Sequence, residues 1–136
     1  TLIVFVVLIS AGYLYITLTP PASPLDTSYF NQDGKEIPIV TDSPMLDQGK
    51  PTDKIFPITE RKSEIVFREI PSAPVPSLLR NFSAPVKLEY EYTREELYFL
   101  MVHDSDNFNR WNASQLLAVD LINELQSTKA IQDSEI

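Results

Sequence analysis

The chain has 136 residues, 43% of them hydrophobic, and a formal net charge of −8. That length supports one domain, or one small domain with part of another, and the composition excludes wholesale disorder. The acidic balance disfavours nucleic-acid binding, which needs Lys and Arg to displace condensed counterions, and the lack of cysteine excludes disulfides and thiolate metal ligands.

No charge appears before Asp26, and Leu2 to Leu18 is almost entirely apolar. Three readings of this stretch stand side by side. It is long enough for a membrane anchor helix. Its β-branched content suits one or two buried strands, with Tyr13–Thr19 the better of them. The third reading makes the first dozen residues foreign to the domain that follows, and the missing initiator Met fits a truncated chain. No Lys or Arg precedes the stretch, so it lacks the n-region of a signal peptide.

All eleven prolines lie between Pro20 and Pro85. Proline lacks the N–H that helix interiors and central strands require, so this region reads as short strands joined by turns. Pro20–Pro24 is expected to be an extended link. Asn31-Gln32-Asp33-Gly34 is a turn joining Tyr29-Phe30 to Lys35–Val40 as a hairpin. Thr41–Asp53 reads as loop; Lys54–Thr59 and Ser63–Ile70 read as strands. The clearest strand is the next one. Val86, Leu88, Tyr90 and Tyr92 alternate with Lys87, Glu89 and Glu91, which predicts a buried face made of those four residues.

From Thr93 the period changes to that of helices. Thr93 and Glu96 make a capping box, and Leu97, Leu100 and Met101 form a narrow apolar stripe. His103-Asp104-Ser105-Asp106 breaks this helix, and Asp106 caps the next. Phe108, Trp111, Ala118, Leu121, Ile122 and Leu125 line one side of the second helix. Ser127–Ile136 is polar and expected to fray.

Little in the chain suggests chemistry of its own. His103 is the single histidine, so the H-E-x-x-H signature of zinc peptidases is absent. Asp104-Ser105-Asp106-Asn107 begins like a calcium loop, but Phe108 and Asn109 stand where that loop needs an acidic or amide ligand and a glycine. The triplets at Asn81 and Asn112 are formal glycosylation sequons without further support. Trp111 reads as core, with Arg110 paired to a nearby carboxylate. No residue is assigned a catalytic or metal-binding role.

Two runs carry a family resemblance. Val75–Leu88 resembles the V-P-S-L-L-R-x-F-S-A-P-V-K-L run that closes the Ig-like domain of bacterial-type aminopeptidases N. Leu97–Gln115 resembles the L-x-F-L-M-x-H-D-x-D-x-F-x-R-W-x-A-x-Q run that opens their C-terminal helical domain. Tyr13–Pro24 is similar to the first strand and link of the Ig-like domain; Thr1–Ala11 departs from the pattern. The resemblance implies a mainly β fold with a helical C-terminal end: an Ig-like β-sandwich followed by two α-helices of a truncated helical-repeat domain. It places an apolar segment and link at 1–25, the sandwich at 26–92 and the first helices at 93–136. It implies a parent zinc enzyme, cytoplasmic, that removes N-terminal amino acids from peptides, with its zinc ligands outside this chain. The implied partners are the catalytic and helical domains of that parent, and Phe108, Trp111 and Leu121 are expected to pack between domains. The other reading is a membrane-anchored acidic β-domain, held through Leu2–Leu18, that acts as a binding module.

Overall fold

The computed structural model describes residues 2–9, 13–19, 23–47, 49–58, 63–70, 72–83 and 88–134. Two β-sheets precede two helices, which is the expected fold class. One sheet has the order β4-β7-β2-β1-β9, built from β4 (Val40–Thr41), β7 (Ser63–Arg68), β2 (Tyr13–Thr19), β1 (Leu2–Ile9) and β9 (Leu88–Glu89). The other has the order β5-β6-β3-β8, built from β5 (Leu46–Asp47), β6 (Asp53–Ile58), β3 (Ser23–Phe30) and β8 (Val75–Leu78). The β1–β9 pair is parallel and the other described pairs are antiparallel.

Leu2–Ile9 and Tyr13–Thr19 are extended, as their β-branched residues favour. Ile3–Ile9 pairs with Tyr13–Thr19, and Leu14–Leu18 pairs in turn with Ser63–Phe67 of β7. Among the described residues no helix is long and apolar enough to cross a membrane. The anchor-helix reading of Leu2–Leu18 therefore gives way to two strands over Leu2–Ile9 and Tyr13–Thr19.

Proline shapes the second sheet. Ser23 and Pro24, expected in the link, already belong to β3. Pro24 stands opposite Pro57 in the β3–β6 ladder, so one rung lacks both nitrogen donors instead of two rungs lacking one each. The Asn31–Gly34 turn forms as expected. Asn31 Oδ1 accepts the N–H groups of Asp33 and Lys35 at 3.1 and 2.9 Å, and Gly34 takes φ 78°. The hairpin beyond it does not extend. Its arms share the single bridge Phe30–Glu36, and Val40–Thr41 joins β7 in the opposite sheet. Pro38 explains the early exit, because it has no N–H to continue a ladder.

The strand expected over Val86–Tyr92 is also shorter. Leu88 and Glu89 pair with Leu2 and Ile3, and Tyr90–Tyr92 continues outside any ladder. Leu88, Tyr90 and Tyr92 are half-buried, and Glu89 and Glu91 are exposed; Val86 lies outside the described residues.

Between the sheets lies an apolar core of Leu25, Tyr29, Phe56, Ile58, Ile65, Phe67 and Leu78, extended by Ile39, Ile70 and Leu79. Phe67 is its centre. Its ring meets Tyr29 at a centroid distance of 4.8 Å and Phe56 edge-on at 5.6 Å. A second cluster, of Phe30, Leu97, Leu100 and Ala113, joins the sandwich to the helices.

Helix α1 (Arg94–His103) starts at the expected capping box, with Thr93 and Glu96 exchanging hydrogen bonds of 2.8 and 3.1 Å. Helix α2 (Asn107–Ser134) packs against it, and Arg94 at the start of α1 reaches Asp120 and Glu124 of α2. The fraying expected from Ser127 is not observed; α2 continues through Ser134. Ser127 and Thr128 fold their hydroxyls back onto the carbonyls of Asn123 and Glu124, at 2.9 and 3.0 Å, within the helix.

Replacing Phe67 by Ala should lower stability by about 3–5 kcal/mol in chemical denaturation, because the ring is fully enclosed. Glu91→Lys, at an exposed position, should stay within about 0.5 kcal/mol. Similar losses for the two variants would show that the core lies elsewhere.

Candidate functional site: a buried arginine between sandwich and helices

The strand β8 ends near Ser77-Leu78-Leu79, and the chain then turns through a short 3-10 segment, Arg80–Phe82. Leu79, Asn81 and Phe82 all take positive φ, between 50° and 56°. Non-glycine residues adopt that conformation at a cost, and they keep it only where the surroundings hold them. Two anchors are visible. Leu79 is buried in the sandwich core, and the Asn81 N–H donates to Asp106 Oδ2 at 2.6 Å.

This turn carries Arg80 into the interior, where the residue is only 5% exposed. A buried guanidinium presents five donors and must find acceptors for them. Nη1 donates to Asp104 Oδ1 and to Ser77 Oγ, each at 3.2 Å. Nη2 donates to Ser105 Oγ at 2.7 Å and to Glu36 Oε1 at 3.5 Å. Nε lies 4.0 Å from Asp53 Oδ1. The acceptors come from the loop after β3, the end of β8 and the elbow between α1 and α2, and the start of β6 adds the nearby charge of Asp53.

Ser77 knits these groups further. Its hydroxyl donates to Asp104 Oδ2 at 2.6 Å and accepts from Asn109 Nδ2 at 2.8 Å; Asn109 also reaches the Leu78 carbonyl at 3.0 Å. Burial pushes the Asp104 carboxyl above the ordinary carboxylate range, against the pull of Ser77, of the Asp106 N–H and of Arg80. Asp106 caps α2 as expected, accepting the N–H groups of Phe108 and Asn109 at 2.8 and 3.1 Å. Ser105 Oγ also donates to Glu36. His103 is exposed, and its imidazole lies so close to Gly34 that a Cβ there would meet Nδ1 at 2.3 Å. Glycine at 34 thus serves the close approach as well as the turn.

Of the residues expected to pack between domains, Phe108 and Trp111 sit at the edge of this junction, and Leu121 lies further along α2. Phe108 is half-buried and stacks between Phe82, at 5.4 Å, and Trp111, at 6.0 Å. Trp111 is not core in this chain: it is 56% exposed, because Ala113 is the α2 residue buried beside Leu97 and Leu100. Arg110 Nε lies 3.4 Å from the Met101 carbonyl, not on the carboxylate expected for it. Leu121 is exposed, as are Leu116, Val119, Ile122 and Leu125. Among the described residues no group of three His, Cys, Asp or Glu is arranged to hold a metal. The lone His103 and an arginine-centred acid cluster do not fit a zinc site.

The sequence does not single out Arg80, nor Ser77, Asn109, Glu36 and Asp53 as its neighbours. One signal is present: a single arginine inside the apolar run Val75–Phe82.

The geometry describes a sandwich and a helix pair locked by one polar hub. Residues 18–91 match the family described as "Domain of unknown function (DUF3458) Ig-like fold", and residues 94–135 match its companion described as ARM repeats. The chain belongs to this DUF3458 family, in which an Ig-like domain precedes an ARM-repeat domain. It is 36% identical over 99 residues to aminopeptidase N of Escherichia coli and 33% identical over 94 residues to that of Haemophilus influenzae. These alignments cover 73% and 69% of the chain, which spans only about a tenth of either relative (11% and 10%). A crystal structure of Legionella pneumophila aminopeptidase A in complex with aspartic acid is similar over 91% of the chain and 14% of its own length, with a TM-score of 0.76 and 29% identity. The aminopeptidase resemblance of the two sequence runs is therefore sound.

Arg80→Ala should cost about 3–5 kcal/mol in urea denaturation, since it leaves buried carboxylates without their cation. Arg80→Lys should recover only a part, because an ammonium cannot reproduce the fork to Ser77, Asp104 and Ser105. Full recovery by Lys would reduce the site to a simple point charge.

Proposed function

We propose that this chain is the non-catalytic module that links the catalytic domain of a zinc aminopeptidase to its C-terminal helical domain. In this reading the whole protein is cytoplasmic and removes N-terminal amino acids from peptides. Its one zinc is held outside these 136 residues. The chain contributes rigidity: the Arg80 hub fixes the angle at which the helices leave the sandwich.

One observation carries the reading. Helix α1 is already seated through Leu97 and Leu100, yet α2 leaves Trp111, Leu121, Ile122 and Leu125 exposed. Repeat helices bury such a face only against the next repeat, which a match to ARM repeats over 94–135 supports. Phe108, Trp111 and Leu121 are accordingly the interdomain packing residues. The half-buried Leu88, Tyr90 and Tyr92 form the face on which sandwich and helices meet.

The purified chain with added zinc should show no turnover of amino-acid anilides. It should self-associate in sedimentation and bind hydrophobic dye, since exposed apolar patches of several hundred Å² drive association. The double substitution Trp111→Gln, Leu121→Gln should reduce both effects and leave the melting of the sandwich unchanged. A monodisperse chain whose Trp111 is protected from quenchers, or zinc-dependent turnover free of contaminating peptidases, would count against the reading.

A further inference from the structure

Behind Arg80 lie two acids that the hub does not use fully. Asp26 on β3 and Asp53 on β6 are both buried. In the β3–β6 ladder Asp53 stands opposite Ser28, so Asp26, two residues earlier on the same face, is its diagonal neighbour. Each has one oxygen, Oδ1, without a hydrogen-bond partner among the described groups, and the Arg80 Nε is likewise without one. The other guanidinium nitrogens are engaged by Asp104, Ser77, Ser105 and Glu36. Two buried carboxylates, each with an oxygen lacking a donor, share one arginine with two further acids. Fully ionised, the group carries more negative charge than the site can hold.

We propose that Asp26 and Asp53 share one proton, and that this proton completes the charge balance of the junction and makes its stability fall as pH rises. A single O–H between the acids supplies the missing donor and removes one charge. The Asn81 side chain bonds Asp26 without adding charge, and the acids around Arg80 deepen the excess. Glu36 from the loop after β3 and Asp104 from the elbow add negative charge on the far side of Arg80, and Asp106 of the elbow holds the Asn81 N–H. Lys54 pairs with Thr27 and so belongs to the opposite face of the ladder. From β8 the neighbouring side chain is the neutral Ser77. The β3 acid also sits beside the turn, since the Asp26 N–H donates to Ser83 Oγ at 3.2 Å.

Burial is the main cause that lifts the Asp26 carboxyl to about 7. Asp53 adds to the rise, and Arg80 and Asn81 oppose it. An acid that binds its proton more tightly when folded adds its full stability below the unfolded value of 3.8, and loses it as pH climbs to about 7.

The test is a carbon-13 carboxyl titration of the chain by NMR, paired with melting curves. The Asp26 signal should titrate with a midpoint near 7. Asp53→Asn should move that midpoint down, because the partner charge is gone. Asp26→Asn imitates the protonated acid, so it should fold, melt above the parent at about pH 8, and lose the parent's decline between the unfolded value and about 7. A midpoint in the ordinary aspartate range, one unmoved by Asp53→Asn, or an Asp26→Asn chain that fails to fold or keeps the parental decline would each overturn the proposal.

Discussion

The junction depends on one constraint: a guanidinium taken out of water has to be surrounded by acceptors and counter-charges. Arg80 draws acceptors from sequence positions as far apart as Glu36 and Ser105, so its bonds cannot all form until the sandwich and the helix elbow are both in place. A buried ion of this kind contributes little net stability when complete and costs much when a partner is missing. It therefore makes half-assembled states unfavourable, and the sandwich and first helices should fold as one unit.

Apolar packing works alongside this constraint. Phe30, Leu97, Leu100 and Ala113 bury a small second core, with Tyr92 packed against it and its hydroxyl on the Pro76 carbonyl at 3.0 Å. Such a cluster holds two elements together without setting the angle between them, because hydrophobic contact is non-directional. The angle is set by directional bonds: Asp104 to Arg80 and Ser77, Asp106 to the Asn81 N–H, and Asn109 to the Leu78 carbonyl. The strained backbone at Leu79–Phe82 is what lets one turn present both a core leucine and a buried cation.

Features governed by close neighbours along the chain are legible in the sequence itself. The Thr93–Glu96 capping box, the Asn31–Gly34 turn, the Asp106 cap and the extended Tyr13–Thr19 all depend on residues within a few positions. The hub is not legible there, because, apart from the Arg80–Ser77 bond, the bonds that bring it together join residues 24 to 69 apart, and an isolated arginine has no period. The hairpin is cut short for a local reason, Pro38, whose missing N–H ends the ladder, and only its onward crossing to the other sheet is a long-range matter. Trp111 departs from expectation for a different reason: an apolar stripe shows which side of a helix seeks cover, not whether the cover lies within the chain. The persistence of α2 to Ser134 is a departure that the polar composition of Ser127–Ile136 conceals.

The length of α2 gives the elbow mechanical weight. At 1.5 Å per residue its 28 residues span about 42 Å, and beyond the Arg94 contacts with Asp120 and Glu124 it leaves the support of α1. The helix is a lever pivoted on Asp106. A tilt of about 5° at the pivot carries its far end about 3.7 Å, more than half of one helical turn. Displacements at Arg80 too small to break a hydrogen bond would thus be magnified wherever that far end makes contact.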